Sequence, residues 1–212
     1  MGHVTRETPW CTIDLNTTTG QILLQQRWQY HWMPEGFGPW ILAEKRNFHS
    51  RSDRIIWAVW SNRARLTVSG SSDVARRLAG RSAPVNLDVR WTLANPHWNV
   101  FVHKVAAGVQ YPSEVFWNVR RINLGSRDFA PVNFGTAVHP RRQPTVAHEF
   151  GHAAGNTSVL SRGDEYRLTS PHHADQRSIM HTGAQLRARH FRTIIEEMNQ
   201  MIPGTIFALP TL

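Results

Sequence analysis

Hydrophobic residues recur along the chain with the spacings of both helices and strands. Between residues 44 and 62 the apolar positions, among them Phe48, Ile55 and Trp60, follow a near-helical period, which predicts one substantial helix. Residues 85–93 alternate between apolar and polar side chains, as expected of a half-buried strand. Further strands are predicted at 65–69, 98–105 and 116–124, and a short helix, which Gly80 ends, at 72–79.

The two ends of the chain complete this pattern. The first 43 residues combine short apolar runs with several tryptophans and predict a strand or two followed by an aromatic loop. A last helix is predicted at 186–201. This order of elements predicts an α+β fold in which helices pack on a twisted mixed sheet. We expect a single domain over residues 1–212, with an aromatic-rich N-terminal extension at 1–43, the sheet and its helices at 44–156, and a small C-terminal helical part at 157–212.

The clearest chemical signal lies in residues 143–156, which read QPTVAHEFGHAAGN. A proline and a threonine are suited to begin a helix there, and a glycine–asparagine pair is suited to end it. His148 and His152 are four residues apart, so both imidazoles project from one face of this helix. Phe150 is expected to face the core, and Gly151 to leave room for a neighbour.

Two imidazoles on one helical face are half of a zinc site, because neutral histidine nitrogens bind zinc at about 2.0–2.1 Å. Glu149 stands next to His148, where a carboxylate can take a proton from a metal-bound water. The pattern His-Glu-x-x-His therefore predicts a metal site with a general base on the same helix.

Charge and cysteine content narrow the choice of partners and of site. The net charge is +9, from 24 Lys and Arg against 15 Asp and Glu, which favours acidic partners such as nucleic acid, but the arginines are scattered, as on a solvated surface. Cys11 is the single cysteine, which excludes an intrachain disulfide and a cysteine-based zinc site. No hydrophobic run approaches the length of a membrane span, and residues 1–7 lack the core of a signal peptide.

Downstream of the helix, GDEY at 163–166 and SIM at 178–180 extend the pattern. With HEFGH they resemble the metzincin-like zinc peptidases, including bacterial secreted or toxin-like peptidases, whose long motif is His-Glu-x-x-His-x-x-Gly-x-x-His/Asp followed by a turn with a methionine under the metal. The positions that match are His148, Glu149, His152, Gly155 and, in the methionine turn, Met180. Over residues 148–190 this resemblance implies a zincin-like fold, with a backing helix and an active-site helix, and Zn²⁺ as the cofactor.

The third metal ligand is the point at which the chain departs from that family. Counting along the family motif without a gap leads to Ser158, which is a poor ligand. A short insertion within 156–162 instead brings Asp164 into the position. The alternatives that stay open are Glu165, His172, His173, His181, His190, Glu196 and Glu197. Tyr166 is expected to be a packed tyrosine rather than a group that assists the reaction.

The resemblance implies a zinc-dependent endopeptidase that hydrolyses peptide bonds with Glu149 as the general base. It further implies a protein or peptide substrate and a bacterial effector or toxin. Such a protein is secreted without a signal peptide, or is delivered into a target cell or periplasm by a secretion machine, and has an immunity protein as a second partner. Residence in the cytoplasm is the alternative. Two other functions compete with this one. The first is a Spartan-like protease that is associated with nucleic acid, although nucleic acid is the less favoured partner. The second is a non-catalytic binding module whose metal is structural.

Overall fold

The computed structural model describes residues 2–210, which form an α+β fold. The strands within these residues are β1 (His3–Glu7), β2 (Thr12–Asn16), β3 (Ile22–Met33), β4 (Arg65–Gly70), β5 (Ala83–Trp91), β6 (Trp98–His103), β7 (Glu114–Phe116), β8 (Arg121–Gly125), β9 (Pro131–Asn133), β10 (Arg142–Pro144) and β11 (Thr205–Ala208). The four α-helices of the same residues are α1 (Leu42–Trp60), α2 (Asp73–Leu78), α3 (Thr145–Ala153) and α4 (Arg192–Met198).

Nine of these strands form one mixed sheet. Its strand order is β11-β4-β5-β3-β6-β8-β7, and β2, which also pairs with β1, joins the first part of β3. β3 is parallel to β5 and β6, and β6 is parallel to β8, whereas the β4, β7 and β11 pairings are antiparallel. Among the described residues β7 pairs only with β8, so it forms an edge of the sheet, and β9 and β10 form a separate hairpin.

One face of the sheet supplies the apolar core. Ile22, Leu24 and Trp28 of β3 are fully buried, whereas the residues between them are partly exposed or polar, as the two-residue period of a strand requires. The same alternation runs through β5, β6 and β8. α1 packs against β5 and α3, and its buried residues Phe48 and Ile56 cover this face.

The helix α3 is held in the core by contacts with distant parts of the chain. The indole Nε1 of Trp60 in α1 donates a hydrogen bond of 2.9 Å to the main-chain oxygen of Ala147. Gln26 of β3 is fully buried, and its side-chain amide donates to the main-chain oxygen of Ala153 over 2.8 Å. Because helix carbonyls in the last turn lack intrahelical partners, this bond satisfies one of them inside the core.

Most of the predicted elements are confirmed. The observed bounds of α1, α2, β4, β5 and β6 differ from the predicted ones by no more than two residues at either end. Residues 2–43 hold three strands, whereas one or two were predicted for the first 43 residues. None of the helices in residues 2–210 is long and apolar enough to cross a membrane.

Two predicted elements are wrong in part. The strand predicted at 116–124 is interrupted, because β7 ends at Phe116, a 3₁₀ turn follows over Trp117–Val119, and Arg120 adopts a left-handed conformation with φ of 52°. The chain therefore reverses, and β8 runs antiparallel to β7. The helix predicted at 186–201 is shorter, with a 3₁₀ turn over Ala188–Phe191 before α4, which ends at Met198.

Candidate metal centre

His148, His152 and Asp164 meet at one point on the surface of α3. The Nε2 atoms of the two histidines are 3.2 Å apart. The Oδ1 atom of Asp164, which belongs to the loop after α3, is 3.0 Å from Nε2 of His152 and 3.4 Å from Nε2 of His148. All three side chains are largely buried, so they form a group of ligand atoms that could hold one metal ion.

Hydrogen bonds on the far side of each ring set which nitrogen carries the proton. Nδ1 of His148 is 2.7 Å from the main-chain oxygen of Ile179, and Nδ1 of His152 is 2.5 Å from that of Asn156. A carbonyl oxygen can only accept, so both Nδ1 atoms donate, and in the neutral rings both Nε2 atoms are left with lone pairs. Two lone pairs and a carboxylate oxygen thus face one another. A bound cation satisfies all three at once, whereas a single proton satisfies two.

The spacing of these atoms also suits tetrahedral coordination. Ligand atoms at about 2.0–2.1 Å from a tetrahedral ion lie about 3.3 Å from one another. The three observed separations, 3.0, 3.2 and 3.4 Å, bracket that value. Burial raises the pKa of the Asp164 carboxyl, but the two histidine rings, when they are protonated at Nε2, lower it further by hydrogen bonds and charge, so that it lies well below the usual range, and a cation in place of those protons acts in the same direction. The carboxylate is therefore ionised at neutral pH and available as a ligand.

Glu149 lies in the same cleft with an unsatisfied carboxylate. Only 5% of the residue is exposed, and within the described part of the chain its Oε2 atom has no hydrogen-bond partner. Burial raises the pKa of Glu149 to about 7. A buried acceptor without a partner costs free energy on the order of 1–3 kcal/mol. Such an atom is expected where a ligand, a water molecule or a substrate group completes the hydrogen bonding.

Met180, the residue that the sequence resemblance places in a methionine turn, packs against α3. It is 1% exposed, and its Sδ atom is 2.5 Å from the position that a Cβ atom on Gly151 would occupy. The same turn supplies the carbonyl of Ile179 that accepts from His148, and the amide of Gln143 donates to this carbonyl over 3.0 Å. The turn therefore fixes the orientation of one candidate ligand without touching the site itself.

The other residues considered as third ligand lie outside the group of converging ligand atoms, and most of them have partners elsewhere. Both oxygens of Glu165 bind Arg189, at 2.6 and 2.8 Å. His190 bonds to Ser178, and His173 bonds to the main-chain oxygen of Tyr166. Glu196 binds Arg162 and Arg192, and Glu197 binds Arg6. The group of converging ligand atoms includes none of the alternatives, which are Glu165, His172, His173, His181, His190, Glu196 and Glu197. Asp164, the residue favoured from the sequence, is the one that joins the two histidines.

Two supporting residues were not recognised from the sequence. Asn156 accepts from His152 through its main-chain oxygen, while its side-chain amide donates to the carbonyls of Gly151 and His190, both over 3.0 Å. Glu165 ties the loop that carries Asp164 to the methionine turn, because its main-chain nitrogen donates to the oxygen of Met180 over 2.8 Å. Neither residue stands at a motif position that predicts this role, and only the folded chain brings the partners together.

The candidate ligands open into a cleft of about 260 Å³. Glu114 and Val115 of the edge strand β7 line one side of it, and Tyr166 and Arg167 line another. Tyr166 is 47% exposed, so the expectation of a packed tyrosine is wrong. Burial of the hydroxyl, and then the negative charge of Asp164, raise the pKa of Tyr166 to about 12, so this hydroxyl keeps its proton at neutral pH.

Comparison of the chain with models of known protein families, with curated proteins and with solved structures gives no match. The assignment of a function therefore depends on the residues of the site and their geometry.

Proposed function

We propose that the protein is a zinc-dependent peptidase of the metzincin-like kind, in which His148, His152 and Asp164 hold the metal. The observation that carries this proposal is the convergence of three potential ligand atoms beside the unpartnered Oε2 atom of Glu149. The donor set of two imidazoles and one carboxylate fits zinc, which takes nitrogen and oxygen ligands in a tetrahedron and leaves one position open in catalytic sites. Bound there, zinc would acidify a water molecule and polarise the carbonyl of the substrate.

Glu149 supplies the proton transfers. With its pKa raised to about 7 by burial, the carboxylate is matched to neutral pH and can both accept a proton from the attacking water and return it to the leaving amine. The free Oε2 atom is the natural acceptor, since no side chain of the described residues competes for it. The proposed role accounts for a buried carboxylate oxygen that would otherwise only destabilise the fold.

The position of the edge strand β7 favours a peptide as the substrate. Its outer main-chain groups have no strand partner within the described residues, and Glu114 and Val115 stand at the cleft. An extended peptide can add to such an edge as a further strand, and its main chain then passes the candidate ligands. The protonated hydroxyl of Tyr166, at the same cleft, is a donor suited to the oxygen of a carbonyl under attack.

Cleavage of an unstructured protein together with metal analysis tests the proposal. We expect the purified chain to hold about one zinc per molecule and to cleave casein, and expect a chelator to abolish cleavage reversibly. Glu149→Gln keeps the size of the side chain but removes the base, so it should retain the metal and lose roughly 10²–10⁴-fold in rate. Turnover near the wild-type level in metal-loaded Glu149→Gln would contradict the role of the base.

Two outcomes would favour the competing functions. Stoichiometric metal without cleavage of any protein, in a chain whose fourth coordination position is closed, would support a binding module with a structural metal. Cleavage that requires DNA, with binding that falls steeply with salt, would support a protease acting in a nucleic-acid context. The role of a delivered effector or toxin, with an immunity protein as partner, stays a prediction from the sequence resemblance.

A further inference from the structure

A second cavity, of about 470 Å³, adjoins the metal cleft. Ser158, Gly163, Asp164 and Arg167 line both spaces, so the cavity begins at the loop that carries the candidate third ligand. Its lining is polar and strongly basic, with four arginines, Arg162, Arg167, Arg189 and Arg192. If a peptide lay in the metal cleft, the side chain of a residue next to the bond to be cleaved would lie beside this cavity.

Two of these arginines serve the fold. Arg162 is 19% exposed and binds the carboxylate of Glu196, while Arg189 is 29% exposed and binds Glu165 and Asp175. Their guanidinium donors are directed at these carboxylates, which fix the loop after α3 and the residues before α4. These two side chains form part of the wall of the cavity, and the carboxylates that they bind balance their charges.

The other two arginines keep donors free. Arg167 is 62% exposed, and its one charged contact among the described residues is Oδ2 of Asp164 at 3.8 Å, which is too long for a hydrogen bond. Arg192 is 68% exposed and donates to Glu196 through Nε, and its terminal nitrogens make no hydrogen bond to the described residues. Guanidinium groups with free terminal nitrogens bind carboxylates through two parallel hydrogen bonds.

The charges around the cavity leave an excess of positive charge. The four arginines of the lining and Arg187 beside them stand against four carboxylates, those of Asp164, Glu165, Asp175 and Glu196, which leaves one unbalanced positive charge. Under the proposed function Asp164 is committed to a divalent ion, so the excess grows further. An acidic group entering the cavity would be attracted over its whole path, since partly buried charges are screened less than exposed ones.

We infer that this cavity is a substrate subsite for an acidic side chain, aspartate or glutamate, next to the bond that is cleaved. Arg167 stands at the boundary between the cleft and the cavity and binds the carboxylate first, and Arg192 stands on the cavity side. This inference rests on the proposed function, because it assumes that a peptide lies in the metal cleft. It narrows the substrates to segments with an acidic residue beside the cleaved bond.

Matched peptides test the inference. The bond that the zinc-loaded protein cleaves in casein is first located by mass spectrometry. Quenched fluorogenic peptides then carry Glu, Gln or Lys at each position flanking that bond, and kcat/KM is measured for the wild type, Arg167→Gln, Arg192→Gln and the control Arg90→Gln. Arg90 of β5 is exposed and lines neither space, so its variant loses the same charge elsewhere.

We expect the wild type and Arg90→Gln to prefer Glu over Gln at one flanking position by about 10-fold or more, the size of one charge-assisted hydrogen bond. The ratio should fall towards 1 in Arg167→Gln and decrease in Arg192→Gln. Equal kcat/KM values for Glu and Gln in the wild type, or an unchanged ratio in both cavity variants, would overturn the inference. Competition by an oligonucleotide that Arg167→Gln abolishes, without a preference among peptides, would overturn it in favour of nucleic acid.

A binding measurement separates this inference from the proposed function. Zinc-loaded Glu149→Gln should bind the Glu peptide more tightly than the Gln peptide by fluorescence anisotropy, and the difference should disappear when Arg167→Gln is added. If the wild type cleaves neither casein nor any peptide, the binding assay uses an unstructured peptide with Glu or Gln at its centre, and a persisting preference for Glu then means that the peptidase proposal fails and the acidic subsite stands. If peptides are cleaved and no preference appears in either assay, the subsite fails and the peptidase proposal stands.

Discussion

Gly151 lies between the two histidines of α3, on the side that faces Met180 and Trp60. An added Cβ atom would be 2.5 Å from Sδ of Met180 and 2.9 Å from Cζ2 of Trp60. Carbon atoms in favourable contact lie about 3.5–4.0 Å apart, so Gly151→Ala requires the methionine to move by about 1 Å and the indole by somewhat less. The indole resists, because its Nε1 is bonded to the main chain of Ala147.

The cost of this substitution follows from two opposed effects. Overpacking of a filled core costs about 1–3 kcal/mol. Alanine within a helix returns about 0.5–1 kcal/mol relative to glycine. The expected net loss in the free energy of unfolding is therefore about 1 kcal/mol, within limits of about 0–2.5 kcal/mol, and each kcal/mol lowers Tm by roughly 2–4 °C in a chain of this size. Displacement of α3 also moves both histidines, and we expect zinc affinity to fall about 10-fold or more, as it does when outer partners of a metal site are disturbed.

Urea unfolding and competition for zinc with a chromogenic chelator measure the two effects. Met180→Ala removes the nearer obstacle, so in that background Gly151→Ala should cost less than it does in the wild type, and the difference is the coupling energy between the two positions. If the Gly151→Ala variant is as stable as the wild type and binds zinc with the same affinity, α3 and Met180 are not packed as described.

The remaining predictions concern the ligands and one buried acid. Asp164→Ala removes a candidate ligand itself. Zinc affinity should therefore fall by more than the roughly 10–100-fold that is lost when a hydrogen-bond partner of a ligand is removed. Glu196→Ala should leave that affinity unchanged, because its carboxylate binds Arg162 and Arg192, and chelator competition distinguishes the two. His148→Ala should remove most of the metal while circular dichroism shows a retained fold, and a full complement of zinc in this variant would contradict the site. Burial raises the pKa of Asp128 to about 6. Its pKa in the unfolded chain is about 3.9, so its contribution to stability is complete below about pH 4 and falls by about 3 kcal/mol as the pH rises through 6. Asp128→Asn should remove this part of the pH dependence in urea unfolding at pH 4 and 7, and an unchanged slope would refute the assignment.

The elements that the sequence predicted well are those with a strong local signal. α3 has a helix-start pair and a glycine stop, and it is observed over Thr145–Ala153. Gly155 adopts φ of +100°, a conformation that favours glycine, and a Cβ atom there would overlap Thr193. The alternation of apolar and polar residues likewise locates β5, because a strand with one buried face has an apolar side chain at every second position.

Elements decided by distant contacts could not be predicted in the same way. The left-handed position of the turn between β7 and β8 is occupied by an arginine, Arg120, rather than by glycine or asparagine, so the sequence gives no clear signal for this reversal. β11 has only four residues, and its place beside β4 depends on pairing across most of the chain. Two of the three candidate ligands follow from helical spacing, whereas the third depends on the path of the loop after α3, which Glu165 and Asn156 fix through partners far along the chain.

The bond between Gln26 and Ala153 bears on how the protein is made. These residues are 127 positions apart in sequence. At about 5–20 residues per second, a ribosome needs roughly 6–25 s to pass from one to the other. During this interval α1 and the neighbouring strands β5 and β6 are synthesised, but α3 is not, so the part of the core that α3 fills stays without its native cover. Early chains are thus exposed to aggregation, and the candidate metal centre cannot assemble until translation of the last third of the chain is well advanced.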